Sequence, residues 1–198
     1  MIETPGRALG AGLSENERDT LTATLSRPAF FVEVAAHAER AFRDGRTFGL
    51  CLVDLDHFKN INLSHGPACG DGALRDIAGR LVRTTLPGVD PLAEVVVGRY
   101  DGNAFGVLVE TGSLKALEAA AHALHEAVGG EPSVTGCCLS ASVGGVLARI
   151  GEDAASVLVR AEQAVYLAKQ FGRNRVEIGK SPAPLRASGN VLPLKRSA

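Results

Sequence analysis

From Phe48 to Val53 the chain is apolar without a break, and the run stops at Asp54. A stretch this short with no polar alternation has no face to give to water, so it predicts a central β-strand covered on both sides. The flanking sequence must then supply two covering layers. Arg27 to Arg43 places Phe30, Phe31, Val34, Ala38 and Ala41 at helical spacing, with Pro28 suited to a first turn. Gly70 to Val82 repeats the pattern through Leu74, Ile77, Ala78 and Leu81. Ser113 is placed to cap a third helix carrying Leu114, Leu117, Ala121, Leu124 and Val128 on one stripe, stopped by Gly129 and Gly130. Ala155 to Phe171, closed by Gly172, predicts a fourth.

The other apolar runs predict strands. Val95–Tyr100 and Phe105–Val109 flank Asp101-Gly102-Asn103, and Asp-Gly between two β-type runs signals a hairpin. Cys137 to Leu147 and Arg175 to Ile178 complete the set. This order of elements implies an α/β (α+β) domain, one mixed sheet packed against helices. Residues 1–18 carry Pro, Gly and mixed charge without a period and read as a flexible arm. Residues 179–198, with three Pro in 20 residues, read as a disordered tail. The domain itself is expected over 19–178.

Charge and cysteine usage narrow the function classes. In 198 residues, 21 Lys plus Arg stand against 22 Asp plus Glu, a net charge of −1. That balance excludes a broad electrostatic grip on nucleic acid but allows a local phosphate pocket. No apolar run approaches the roughly 18 residues of a membrane span. Glu3, with no apolar core after it, argues against a secretory leader. Cys51, Cys69, Cys137 and Cys138 lie in or beside apolar runs and form no CxxC pair. They are expected as reduced core residues of a cytoplasmic protein rather than as zinc ligands.

Four constellations could carry chemistry. Asp54-Leu-Asp-His-Phe-Lys59 ends the buried strand, a place where carboxylates and a backbone carbonyl can hold a divalent cation; the same residues also serve simply to start a turn or cap a short helix. The tip Asp101-Gly102-Asn103 either approaches that strand end or is an ordinary turn. Lys169 and Arg173 bracket a helix terminus, where they would take phosphate oxygens or complement the helix dipole. Glu118, His122, His125 and Glu126 share a helix face at metal-like spacing, which a solvated face also explains.

Taken in order, several segments resemble one family. Asp19-Thr-Leu-Thr-Ala-Thr-Leu-Ser-Arg-Pro-Ala-Phe30 is similar to the opening of GGDEF domains, the diguanylate cyclase family. Residues 52–62 (LVDLDHFKNIN) followed by Gly70-Asp71-Gly-Ala-Leu74 resemble its metal- and guanine-binding stretch. Arg99-Tyr-Asp-Gly-Asn-Ala-Phe105 occupies the place of its signature hairpin, and Ser140–Gly144 with Ala161–Val176 resemble its last strand and helix. The resemblance implies a five-stranded sheet surrounded by helices, related to the nucleotidyl cyclase and polymerase palm. It further implies condensation of two GTP to cyclic di-GMP by facing subunits, with two cations activating the 3′-hydroxyl and stabilising charge at the α-phosphate. By position, Asp54 and the backbone of Leu55 resemble metal ligands, and Asn62 with Asp71 the pair that reads guanine. Backbone around His57 and Phe58, with Lys169 and Arg173, resembles the phosphate grip.

The departures from the family pattern set the functional expectation. Where the family has Gly-Gly-Asp/Glu-Glu-Phe, this chain has Asp101, Gly102, Asn103, Ala104 and Phe105. Asn103 stands where the second metal carboxylate belongs, and its amide oxygen is a weak ligand for Mg²⁺. Asp101 puts a carboxylate where backbone should approach phosphates. The inhibitory cyclic di-GMP site needs an arginine before the hairpin, and the corresponding places look like Leu92 and Val95. Leu63 and Pro67 break the polar run after Asn62. The expectation is a catalytically inactive GGDEF domain that keeps part of a nucleotide pocket, with Mg²⁺ binding weakened and no inhibitory product site. It would act as a GTP-responsive regulator or bind another signalling protein or domain. The alternative is a weakly active diguanylate cyclase in which Asp54 and Asp101 share the metals.

Overall fold

The computed structural model describes residues 17–90, 95–133, 135–136 and 138–179. Both expected terminal segments therefore fall outside the described residues almost entirely. Glu17 and Arg18, at the end of the expected arm, make contacts: Ser26 N–H donates to the Glu17 carbonyl (2.7 Å) and Arg18 to the Ala23 carbonyl (2.8 Å).

In chain order the elements are α1 (Arg27–Asp44), β1 (Gly49–Leu55), α2 (Phe58–His65), α3 (Pro67–Arg83), β2 (Val96–Asp101), β3 (Ala104–Val109), α4 (Leu114–Gly129), β4 (Ala141–Leu147), α5 (Ala154–Gln170) and β5 (Arg175–Ile178). The five strands form one mixed sheet in the order β2-β3-β1-β4-β5. All neighbours are antiparallel except β4 and β5, which run parallel because α5 carries the chain back between them. β1 is central, as its unbroken apolar run requires.

Alternation along β1 divides the core. Leu50 and Leu52 pack with Phe30 and Val34 of α1 and with Val157, Leu158 and Ala161 of α5. Cys51, Val53 and Leu55 pack with Leu74, Ile77 and Leu81 of α3 and with Leu117 and Leu124 of α4. Burial pushes the Cys51 thiol up to about 12, so it behaves as a small apolar residue. The other described cysteines correct the expectation of core thiols: Cys69 is half-buried, Cys138 is exposed, and Cys137 lies outside the described residues.

Two helix starts and one strand also differ from expectation. α2 has no fully buried residue, hence no apolar stripe to announce it. Gly66, at φ +83°, turns the chain out of α2, and Pro67 begins α3 three residues before the expected Gly70. β4 begins at Ala141 instead of residue 137. Ser113 caps α4 as expected, accepting a hydrogen bond from Ala116 N–H.

Glycines set how closely the layers approach. Gly98 and Gly106 are cross-strand partners, and the Phe30 ring lies where their side chains would be. At Gly144 a Cβ would sit 2.5 Å from Val165 N and 2.6 Å from Ala161 O, so α5 rests its backbone directly on β4. Backbone cannot yield as a side-chain tip can. Gly144→Ala is therefore expected to lower unfolding free energy by about 2 kcal/mol or more. Gly102→Ala, with nothing within 4 Å, should stay within about 0.5 kcal/mol. Urea denaturation of the two variants checks this.

Candidate functional site

The end of β1 and the tip of the β2–β3 hairpin meet through Asn103. Asp54 pairs with Ala104 across the ladder, and Leu55 N–H donates to the Asn103 carbonyl at 3.1 Å. The Asn103 side chain then folds back on the same strand end. Its Nδ2 donates to the Leu55 carbonyl at 2.7 Å and to Asp54 Oδ1 at 3.1 Å. The opposite amide orientation would set Oδ1 against two acceptors, so the hydrogen-bond network itself assigns the nitrogen to this position.

The second carboxylate oxygen of Asp54 is also engaged. Lys169, in the last turn of α5, places Nζ 2.7 Å from Asp54 Oδ2. Both side chains are largely covered, at 33% and 19% exposure. The structure thus brings together four of the residues singled out in the sequence, Asp54, Leu55, Asn103 and Lys169, but as a closed set of contacts. Lys169 rests on Asp54, whereas Arg173, beyond the helix end at φ +64°, is exposed and anchored by its own N–H on the Ala168 carbonyl (3.0 Å). Divalent cations take oxygen ligands. Between Asp54 Oδ1 and the Leu55 carbonyl this chain presents N–H, so the donor set as arranged does not fit such a cation.

The remaining nucleotide-site candidates lie around the α2–α3 corner. His57 precedes α2 in a left-handed conformation, φ +53°, which turns the chain sharply out of β1. Phe58 and Asn62 both pack over Gly70, where a Cβ would fall 3.0 Å from the Phe58 ring and 1.9 Å from Asn62 Oδ1. That oxygen is buried and has no hydrogen-bond partner. Asp71, by contrast, is exposed at the start of α3.

Asp101 points elsewhere. Its carboxylate is 4.0 Å from Arg27 Nη1, and its side chain is 74% exposed. Arg99 supports the hairpin from behind: Nε donates to the Asp101 carbonyl (3.2 Å), Nη2 to the Gly102 carbonyl, and Nη1 to Asp19 Oδ1 (3.5 Å). The guanidinium also lies over the Phe105 ring, 5.4 Å from its centroid. Burial pulls its pKa down, while the carboxylates of Asp19, Asp71 and Asp101 oppose that pull. Beside it, Tyr100 O–H donates to Glu162 at 2.5 Å, and burial together with that acceptor raises its pKa. Among the described residues no group of three or more His, Cys, Asp or Glu could hold a metal; His125, of the proposed helix-face cluster, meets Asn174 Oδ1 at 2.9 Å.

A residue-by-residue reading of the motif misses what Asp56 does. It is 5% exposed and accepts from Ser140 Oγ (2.9 Å), Ser142 Oγ (2.7 Å) and Asn174 N–H (2.9 Å), while its own N–H donates to the Ser140 carbonyl (2.8 Å). One carboxylate therefore ties the end of β1 to β4 and to the turn before β5. The two serines alternate about the start of β4, but nothing in their spacing points to residue 56.

This geometry has known counterparts. The family model described as diguanylate cyclase, GGDEF domain, matches residues 16–175. The chain belongs to the GGDEF family. It is 35% identical over 168 residues to the diguanylate cyclase DgcP of Pseudomonas aeruginosa, covering 81% of this chain and 23% of that protein. It is 30% identical over 177 residues to diguanylate cyclase A of Treponema denticola, covering 84% and 45%. The chain thus spans less than half the length of these relatives. In structure it is similar to the GGDEF domain of DgcB from Caulobacter crescentus in complex with c-di-GMP, with a TM-score of 0.75 at 27% identity, over 85% of this chain and 99% of that one. It is also similar to the diguanylate cyclase SiaD of P. aeruginosa in complex with its activator SiaC, with a TM-score of 0.74 at 27% identity, over 81% and 61%. The five-stranded mixed sheet is the GGDEF fold, and no described helix is long and apolar enough to cross a membrane.

Removing the Asp56 carboxylate would take the acceptor from the buried Ser142 hydroxyl, the half-buried Ser140 hydroxyl and the Asn174 N–H. Asp56→Ala is expected to cost about 3 kcal/mol, with Asp56→Asn in between because its single oxygen can serve only part of the set. Chemical denaturation of both variants measures it.

Proposed function

We propose that this GGDEF domain does not make cyclic di-GMP and works instead as a guanine-nucleotide-responsive or protein-binding module in cyclic di-GMP signalling. The observation that carries the reading is the Asn103 amide bonded to Asp54 and to the Leu55 carbonyl. An amide there has no charge to help hold a metal and no basicity to take a proton from a 3′-hydroxyl. Family membership and the partly kept pocket residues Asn62, Asp71 and Arg173 support a nucleotide as ligand. The complex of SiaD with its activator supports a protein as partner.

The placement of Asp101 weighs against a cyclase in which it replaces the missing carboxylate. The ladder runs from Asp54 to Ala104 to Asp101, and two strand spacings put the Asp54 and Asp101 backbones about 10 Å apart. The Asp101 side chain meets Arg27. Val95 has no charge with which to hold a second cyclic dinucleotide, while Leu92 lies outside the described residues.

Incubation with GTP and Mg²⁺ or Mn²⁺ should leave cyclic di-GMP at the level of a no-protein control by chromatography. Product that accumulates with the wild-type chain and vanishes in Asp54→Ala would reject the proposal and install the weak cyclase in its place. A second measurement concerns specificity. Guanine should be preferred to adenine, and Asp101→Gly, which removes an exposed carboxylate facing Arg27, should leave the ratio of GTP to GDP affinity within about twofold. Equal binding of GTP and ATP would remove the nucleotide-responsive half of the reading.

A further inference from the structure

By their resemblance to the family's metal-binding stretch, Asp54 and the Leu55 carbonyl are the two oxygen groups through which this chain would hold a cation. In this chain both are already served by nitrogen donors from its own side chains, Asn103 Nδ2 on Asp54 Oδ1 and the Leu55 carbonyl, and Lys169 Nζ on Asp54 Oδ2. The Asp54 carboxylate is thereby neutralised one for one by the ammonium. An entering divalent ion would have to displace Lys169 and rotate Asn103 away from two acceptors. In return it would gain a single carboxylate and neutral oxygens, with water left to fill most of its octahedral shell. Asp101, turned toward Arg27, adds nothing to that set.

We propose that Asn103 and Lys169 are a built-in replacement for the divalent cation. They hold the strand end and hairpin tip together as a metal would, so the domain binds neither Mg²⁺ nor Mn²⁺ and needs neither for its fold. Any phosphate-bearing ligand it takes binds equally well without a divalent cation; this last clause alone rests on the nucleotide reading above. The chemistry is reciprocal. Asn103→Asp would put an oxygen where N–H now bridges two oxygens, creating repulsion that a cation relieves.

The test uses the whole chain and Mn²⁺ as the probe. Titration followed by electron paramagnetic resonance should show no loss of the free Mn²⁺ signal up to ~1 mM, and the thermal midpoint should be the same in EDTA as in excess Mg²⁺. Asn103→Asp should melt lower than the wild type in EDTA and recover by ~4 °C or more with Mn²⁺, a recovery that Asp54→Asn in the same chain cancels. Should that variant not fold, Lys169→Met bares Asp54 Oδ2 instead, and its midpoint should likewise become Mn²⁺-dependent. Mn²⁺ bound by the wild type more tightly than ~100 μM, and lost in Asp54→Asn, would overturn the inference. So would variants whose midpoints ignore Mn²⁺. GTP titrated by calorimetry in EDTA and again in Mg²⁺ separates the two readings. Equal binding supports the inference, and binding only with Mg²⁺ overturns it. No binding in either, with the Mn²⁺ results as expected, upholds the built-in replacement and removes the nucleotide-responsive role.

Discussion

β1 exchanges backbone hydrogen bonds on both edges, with β3 from Gly49 to Asp54 and with β4 from Gly49 to Leu55, while its side chains are buried on both faces. A strand so placed has no freedom of register, because a one-residue slip would exchange the Leu50–Leu52 set with the Cys51–Val53–Leu55 set and mismatch both helical layers. Its end is therefore a rigid platform. Asp54 and Asp56 leave that platform in different roles, one toward α5 and the hairpin tip, the other into a buried clamp on β4 and the β5 turn.

The polar contacts around that platform give both oxygens of Asp54 and both oxygens of Asp56 a donor. Asp56 is served by two hydroxyls and a backbone N–H, Asp54 by an amide and an ammonium. In a partly covered site such charge-assisted bonds are stronger than their exposed counterparts. The hairpin tip is held from the other side by Arg99, whose guanidinium ties the carbonyls of Asp101 and Gly102 to Asp19. The tip of the β2–β3 hairpin is thus bonded both to the strand end in front of it and to the segment preceding α1 behind it. A change at Asn103 or Arg99 would reach the other through a few bonds.

Legibility in the sequence followed burial. α1, α3, α4 and α5 each carry an apolar stripe, and each was readable to within a few residues because the stripe is the imprint of the sheet they cover. α2 buries no residue fully, so it left no imprint. Of the residues named from motif positions, Asp54, Leu55, Asn103 and Lys169 meet in the structure. Their contacts were not legible. Lys169 could equally have extended toward solvent phosphate, and Asn103 could have presented either end of its amide. Asp56 passed for a turn residue because its partners lie about 85 to 118 positions away.

By itself the sequence determined the order of the strands and of every helix but α2, the two-sided burial of β1, and the neutral side chains of Asn103 and Ala104 at the hairpin tip. These follow from periodicity and residue chemistry, which are local. Only the tertiary structure decided that the Asn103 amide would point its nitrogen at Asp54 and Leu55, that Lys169 would neutralise Asp54, and that Asp101 would turn to Arg27. Those outcomes depend on distances between β1, the hairpin and α5. A short amide, a flexible lysine or a surface carboxylate takes its partner from whatever charge the packed elements bring within about 3–4 Å.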